Sequence, residues 1–249
     1  FTETLRVEYD AATGKNLGAL IEGNSTNLCT YSEDFSNAAW IKGDSTILSN
    51  EIVAPDDTLS VDKINAATSA SIAPRVSQTI TANISSTYTI SYYVKKAEAS
   101  IVQIYFGGSD VANNPRVNFN LITGSVGSQD NDIVSATINP IKNDIYRITA
   151  TVVAAVATGF TAGIVAIKST TDTRAQANAW TIGDGVYVWG AQIEREPFVT
   201  SYIRTEGSAV SRSADNLHLP ASGNVSFLDS TVHVVFDDDS NPFDYPNIY

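Results

Sequence analysis

Apolar and polar side chains alternate along much of the chain with a period of two, the spacing of a strand that lays one face on a core. Tyr88 to Val94 puts Tyr88, Ile90, Tyr92 and Val94 on one side, and Thr89, Ser91 and Tyr93 on the other. Ile101 to Phe106 repeats this, with Val102, Ile104 and Phe106 inward, Gln103 and Tyr105 outward, and Gly107-Gly108 ending the strand. Arg116 to Leu121 sends Val117, Phe119 and Leu121 inward and Arg116, Asn118 and Asn120 outward, ahead of a turn at Thr123-Gly124. Further strands are predicted at Tyr146 to Val153, Phe160 to Ile167 and Val186 to Ile193. In the last, Val186, Tyr187, Val188 and Trp189 leave no polar side, which predicts a central strand covered on both faces. Helical periodicity is scarce. The pattern predicts an all-β chain, an antiparallel β-sandwich.

Composition narrows the partners. The 249 residues are 43% hydrophobic, enough to build a core, and 27 acidic against 15 basic side chains give a net charge of -12. That charge repels a phosphate backbone, so nucleic acid is not the expected ligand. The longest apolar run, Val152 to Ala157, is far short of the ~20 residues of a membrane-spanning helix, so no membrane insertion is expected. The chain begins at Phe1 and contains no methionine, and so reads as a processed chain or a fragment of a longer one. Cys29 is alone and reads as a small buried hydrophobe.

Catalytic patterns are thin. No G-x-S-x-G elbow, H-E-x-x-H pair, phosphate-cradling loop or Cys/His metal spacing occurs. Carboxylates pair at Glu33-Asp34 and at Glu194 with Glu196, but adjacent residues of a strand face opposite ways, which keeps Glu33 and Asp34 from acting together. The expectation is a chain without enzymatic activity. Asp237-Asp238-Asp239 lacks the glycine and closing glutamate of an EF-hand loop and reads as a solvated turn.

A saccharide site needs aromatic faces beside fixed amide, hydroxyl or guanidinium groups. The outward faces carry Tyr93, then Gln103 and Tyr105, then Arg116 and Asn118, then Arg147. Taken as neighbours, these six form a shallow polar groove for glycans. The other reading of the same residues is an ordinary polar sheet face, or one that docks on another subunit.

Three stretches carry a family likeness. Arg6-Val7-Glu8-Tyr9-Asp10, Leu20-Ile21-Glu22-Gly23 and Thr26-Asn27-Leu28 lead into Tyr31-Ser32-Glu33-Asp34-Phe35-Ser36-Asn37 with Trp40. Late in the chain come Val188-Trp189-Gly190-Ala191-Gln192-Ile193-Glu194, Thr200-Ser201-Tyr202-Ile203 and Arg212-Ser213-Ala214-Asp215, with Tyr92-Tyr93-Val94-Lys95 and Tyr146-Arg147-Ile148 between. Over residues 6 to 215 the chain resembles a bacteriophage tail-fibre or head-spike domain family with a carbohydrate-binding jelly-roll fold. Ser25 stands where the family's lead-in carries arginine.

The resemblance implies a jelly roll over 27–215, a lead-in arm over 1–26, and a C-terminal arm or further domain over 216–249. It implies a place on the surface of a virion among other virion proteins, in many copies or as a trimer. It also implies contact with host cell-surface polysaccharide, and a structural calcium between first and last strands, held by Glu33 or Asp34 together with Glu194. The alternative function is a purely structural virion protein, a capsid decoration or fibre connector without sugar binding.

Overall fold

The structure, a computed structural model, describes residues 7–9, 13–69, 73–107, 113–155, 159–176 and 178–216. Of the arm expected over 216–249, all but residue 216 lies outside them. The described residues hold strands and turns and no helix. Twelve strands make two antiparallel six-stranded sheets. Sheet I runs β11 (Ser125–Gln129), β10 (Arg116–Asn120), β9 (Ile101–Gly107), β14 (Phe160–Ile167), β7 (Arg75–Ile80) and β4 (Ile41–Gly43). Sheet II runs β12 (Ser135–Pro140), β13 (Tyr146–Val153), β8 (Thr87–Lys96), β15 (Gly185–Glu194), β6 (Leu59–Ala66) and β5 (Ser45–Val53). Two short ribbons stand outside the sheets: β1 (Val7–Tyr9) with β2 (Asn16–Ala19), and β3 (Ser25–Asn27) with β16 (Val210–Arg212).

The chain crosses from one sheet to the other at β4 to β5, β6 through β9, β11 to β12 and β13 through β15. This is the winding of a jelly roll, and it brings the two apolar faces together. Tyr88 of sheet II meets Phe160 of sheet I edge-on at 5.2 Å, and Phe160 lies 5.9 Å from Phe106. The predicted inward positions of β8, β9 and β10 are buried in this one core: Tyr88, Ile90, Tyr92, Val94, Val102, Ile104, Phe106, Val117 and Phe119.

Strand β15 is central and buried on both faces, as its unbroken apolar run predicts. Its register slips between Trp189 and Gln192, where Gly190 adopts φ +59° in a β-bulge. A Cβ at Gly190 would stand 2.8 Å from the Tyr93 ring, so the bulge requires glycine. The bulge also resets the faces. Val186, Val188, Ala191 and Ile193 lie in the core, while Trp189 joins a second apolar cluster with Tyr93, Val61 and Ile145. Glu194 thereby leaves the core side that unbroken alternation from Val188 assigns to it.

Strands β5 and β6 are not predicted by alternation. β6 buries Asp62, Lys63 and Asn65 beside Val61 and Ile64, and β5 is an edge strand left mostly in water. Phe160→Ala is expected to lower unfolding stability by about 3–5 kcal/mol, because the ring is fully buried between Tyr88 and Phe106. Urea denaturation measures it, and a loss below about 1 kcal/mol would contradict a shared inter-sheet core.

Candidate functional site

Family-like residues from 22–32 and from 191–212 come together on the outward side of the β15 bulge. Asn27, fully buried, donates from Nδ2 to the carbonyls of Ala191 (3.0 Å) and Ile203 (2.8 Å). Its Oδ1 accepts from the amides of Cys29 and Ile193, both at 3.0 Å. Gln192 takes the amide of Ile203 at 2.7 Å, and Thr205 donates to the Cys29 carbonyl at 2.7 Å. Arg212 pairs with Glu22 at 2.6 Å. These are the bonds of a structural clamp, since a bulge breaks the ladder and leaves backbone groups that side chains must satisfy.

Glu194 belongs to this clamp. Its carboxylate is fully buried and accepts from Ser25 Oγ at 2.6 Å, from the Thr200 amide at 3.0 Å and from Thr200 Oγ1 at 2.5 Å. Glu33 accepts from the Tyr202 hydroxyl at 3.1 Å and faces Arg204 Nε at 3.4 Å. Asp34 Oδ1 closes its own turn on Ser36 and Asn37. The structure does not gather Glu33, Asp34 and Glu194 into one coordination sphere, and among the described residues no group of three or more His, Cys, Asp or Glu is placed to hold a metal. The residues do not fit the calcium that the resemblance implies, because Glu194 is engaged by three protein donors and Glu33 and Asp34 are bonded elsewhere.

The six residues expected to line a glycan groove do not share a face. Tyr93 and Arg147 are cross-strand partners on the outward side of sheet II. Gln103, Tyr105, Arg116 and Asn118 lie on the outward side of sheet I, across the sandwich. Nor does this second set meet water. The segment 168–176 folds over it: Gln103 accepts from the Ala175 amide at 2.7 Å and donates to Asn118, and Asn118 donates to the carbonyls of Thr170 and Asp172. Arg116 donates to the Ser128 carbonyl at 2.8 Å, and Tyr105, 5% exposed, lies under the Arg174 guanidinium. Gln103, Tyr105 and Asn118 hold the covering loop and Arg116 holds Ser128 and Asp130, so the four make internal contacts and not the ligand contacts expected of them.

On sheet II, Tyr93, Trp189 and Tyr202 pack as one aromatic cluster, with Trp189 and Tyr202 4.6 Å apart. Trp189 Nε1 donates to Ser60 Oγ, and Tyr202 reaches from the cluster to Glu33. Beyond Glu33 opens a cleft of about 290 Å³ lined by Glu33, Asp34, Ser36, Ser49, Asn50 and Asp62. Asn50 sits at φ +60° where β5 loses register with β6, and its amide donates to Asp62 at 3.0 Å. The Phe35 amide donates to the other Asp62 oxygen at 2.9 Å. A second cleft, of about 380 Å³, lies beside Ser25 and is lined by Asn24, Thr26, Leu28, Arg195 and Glu196.

Burial pushes the Asp62 carboxyl up to about 6, against the pull of its two amide donors and with a further push from Asp34. Burial likewise raises Glu33, with Arg204 and Tyr202 pulling it back. Asp62 escaped sequence reasoning because it lies in a strand of mixed polarity, LSVDKINA, with no alternation to assign its face. Only the tertiary placement of Phe35 and Asn50 marks it.

No protein-family model matches the chain, and no curated protein sequence matches it. A solved structure similar to it is, by its title, the enzymatically active domain of tailspike protein 4 of bacteriophage CBA120. That likeness has a TM-score of 0.42 and 11% identity, and covers 67% of this chain and 21% of that one. The chain thus spans about a fifth of its neighbour's length. The expectation of a chain without enzymatic activity does not stand beside a neighbour titled as an active domain, and it is withdrawn. At this TM-score the likeness assigns no reaction to the present chain.

Because the Asp62 pKa is higher folded than unfolded, ionisation opposes folding above pH 6. Stability is expected to rise as the pH falls from about 7 towards 4, by on the order of 1–3 kcal/mol from this group. Comparing denaturation midpoints of the wild type with Asp62→Asn across that range isolates it. An unchanged slope in the variant would contradict the assignment.

Proposed function

We propose that the chain is a bacteriophage fibre or spike module that holds a neutral, hydroxyl-rich glycan in the cleft between Glu33 and Asp62. The observation that carries this is the cleft's lining: six side chains, every one ending in a carboxylate, hydroxyl or amide. Saccharide hydroxyls donate well to carboxylates and exchange bonds with amides and hydroxyls. Tyr202, half-buried, donates its hydroxyl to Glu33 and so fixes that carboxylate at the cleft wall. Three carboxylates in one small cleft disfavour an anionic ligand, so a neutral sugar is the fitting class.

The place on a virion rests on the likeness of the end stretches to the fibre and spike family. The clamp supports that likeness, because residues 164 to 176 positions apart bond into one unit. Weak single-site affinity is what such a cleft offers, and many copies on a particle multiply it.

A glycan array followed by calorimetry on a neutral hit tests the reading. Ser49 is exposed and makes no side-chain bond to the described residues, so Ser49→Trp fills the cleft without unmaking it. Its expected effect is a loss of affinity of at least about 10-fold with stability kept within about 0.5 kcal/mol. Undiminished binding by that variant would refute the cleft as the site.

A second reading, a structural fibre connector or capsid decoration protein, is favoured by one edge of the sandwich. Ile41 of β4 and Leu48, Val53 and Leu59 of β5 and β6 are 46–60% exposed there, with Val53 and Leu59 opposite each other. Apolar side chains on an edge strand suit a subunit contact. Analytical ultracentrifugation is then expected to show an oligomer, a trimer in the fibre case, that Val53→Lys with Leu59→Lys converts to monomer. A wild type monomeric at high concentration would exclude this reading.

A further inference from the structure

Arg147 combines three features. Its guanidinium stacks on Tyr93 with Cζ 5.1 Å from the ring centre, and its only bond to the described residues is Nη2 to Ser91 Oγ at 3.1 Å. Its Nε is shielded from solvent and has no hydrogen-bond partner. No carboxylate oxygen of the described residues comes within 4.0 Å of it, although Arg116, Arg204 and Arg212 each have one. Arg212 is the other described arginine with an unpartnered buried Nε, and its charge is met by Glu22.

A half-buried guanidinium that loses water without gaining an anion sits at a disadvantage that a bound anion removes. The same face carries a second cation. Lys95 lies two residues along β8 from Tyr93, diagonal to Arg147, and its ammonium reaches the Asn143 carbonyl and lies 3.9 Å from exposed Asp144. Asn139, exposed and directly opposite Arg147 on β12, adds an amide. On a chain of net charge -12 this is a local basic spot.

We infer that this face is an anion subsite in which Arg147 takes the carboxylate of an acidic saccharide, with Asn139 and Lys95 beside it for ring hydroxyls. A planar carboxylate matches the guanidinium fork. A protein partner fits less well. Interfaces are centred on exposed apolar or aromatic anchors, whereas here Tyr93, Trp189 and Ile145 are each below 10% exposed. The subsite is separate from the Glu33 cleft, with the Tyr93, Trp189 and Tyr202 cluster between them. It does not depend on the cleft's holding a sugar.

The test uses the full chain with oligogalacturonate, its fully methyl-esterified form, and sialyllactose as probes, read by calorimetry and by the Arg147 Nε–H signal in NMR. The expected result is binding of at least one acidic probe, weakened about 10-fold or more by Arg147→Gln and partly kept by Arg147→Lys. Binding should also weaken with rising salt, and the Arg147 Nε–H should shift on titration. If oligogalacturonate is the probe that binds, its ester should bind at least about 10-fold more weakly.

Equal affinity for acid and ester overturns the inference, as does no binding of either acid at millimolar concentration, or binding that survives Arg147→Gln. Ser49→Trp separates the two sites. Acidic-probe binding kept in that variant supports a distinct subsite, whereas its loss places the acid in the cleft and overturns the subsite while leaving the cleft reading intact. Unchanged melting of Arg147→Lys checks the fold.

Discussion

One buried amide side chain joins the segment around Asn27 to strand β15 and to Ile203. Where Gly190 bulges out of β15, Asn27 meets the Ala191 carbonyl and the Ile193 amide, and with its other two side-chain bonds ties in Cys29 and Ile203. Few side chains have the two donors and the acceptor for this. Around it, Gln192, Glu194, Ser32 and Thr205 bind the segments 22–32 and 200–205 to the outward face of sheet II. A bulge in a central strand is costly unless its polar groups are met, so this knot and the bulge stand or fall together.

The clamp explains why the residues that carry the family likeness are not those of a ligand site. Thr26-Asn27-Leu28, Gln192-Ile193-Glu194 and Thr200-Ser201-Tyr202-Ile203 are bonded to one another and carry the architecture. The functional surface is what the clamp positions. Tyr202 is tied through its hydroxyl to Ser32 and Glu33, which links the aromatic cluster to one wall of the polar cleft. On the other side of the same aromatic cluster Tyr93 carries Arg147. The two proposed subsites, one acidic and one basic, are therefore set by one rigid group of rings.

Outward positions of the two sheets turned out unlike each other. On sheet I, Gln103 and Asn118 are outward in register yet buried, because the loop over 168–176 lies on them and takes their hydrogen bonds, while Arg116 is spent on Ser128 and Asp130. Period-two alternation separates two faces of a strand, but whether the polar face meets water or a loop is decided by residues more than fifty positions away. Asp62 makes the same point from the other direction: an acidic residue in a strand of mixed polarity, its carboxylate buried where the amides of Phe35 and Asn50 converge on it.

By itself the sequence determined the class of fold, the inward sets of β8, β9 and β10 and the central place of β15. Each of these rests on local alternation and on apolar surface that must leave water. Tertiary structure alone decided which strands are neighbours, so that Tyr93 and Gln103 lie on opposite sheets. It decided the face on which Glu194 falls, since a single left-handed glycine reverses the alternation beyond it. And it decided which polar side chains are spent inside the fold and which remain for a ligand, because hydrogen-bond partners more than a hundred residues apart are chosen by the winding of the chain and not by the chain's local pattern.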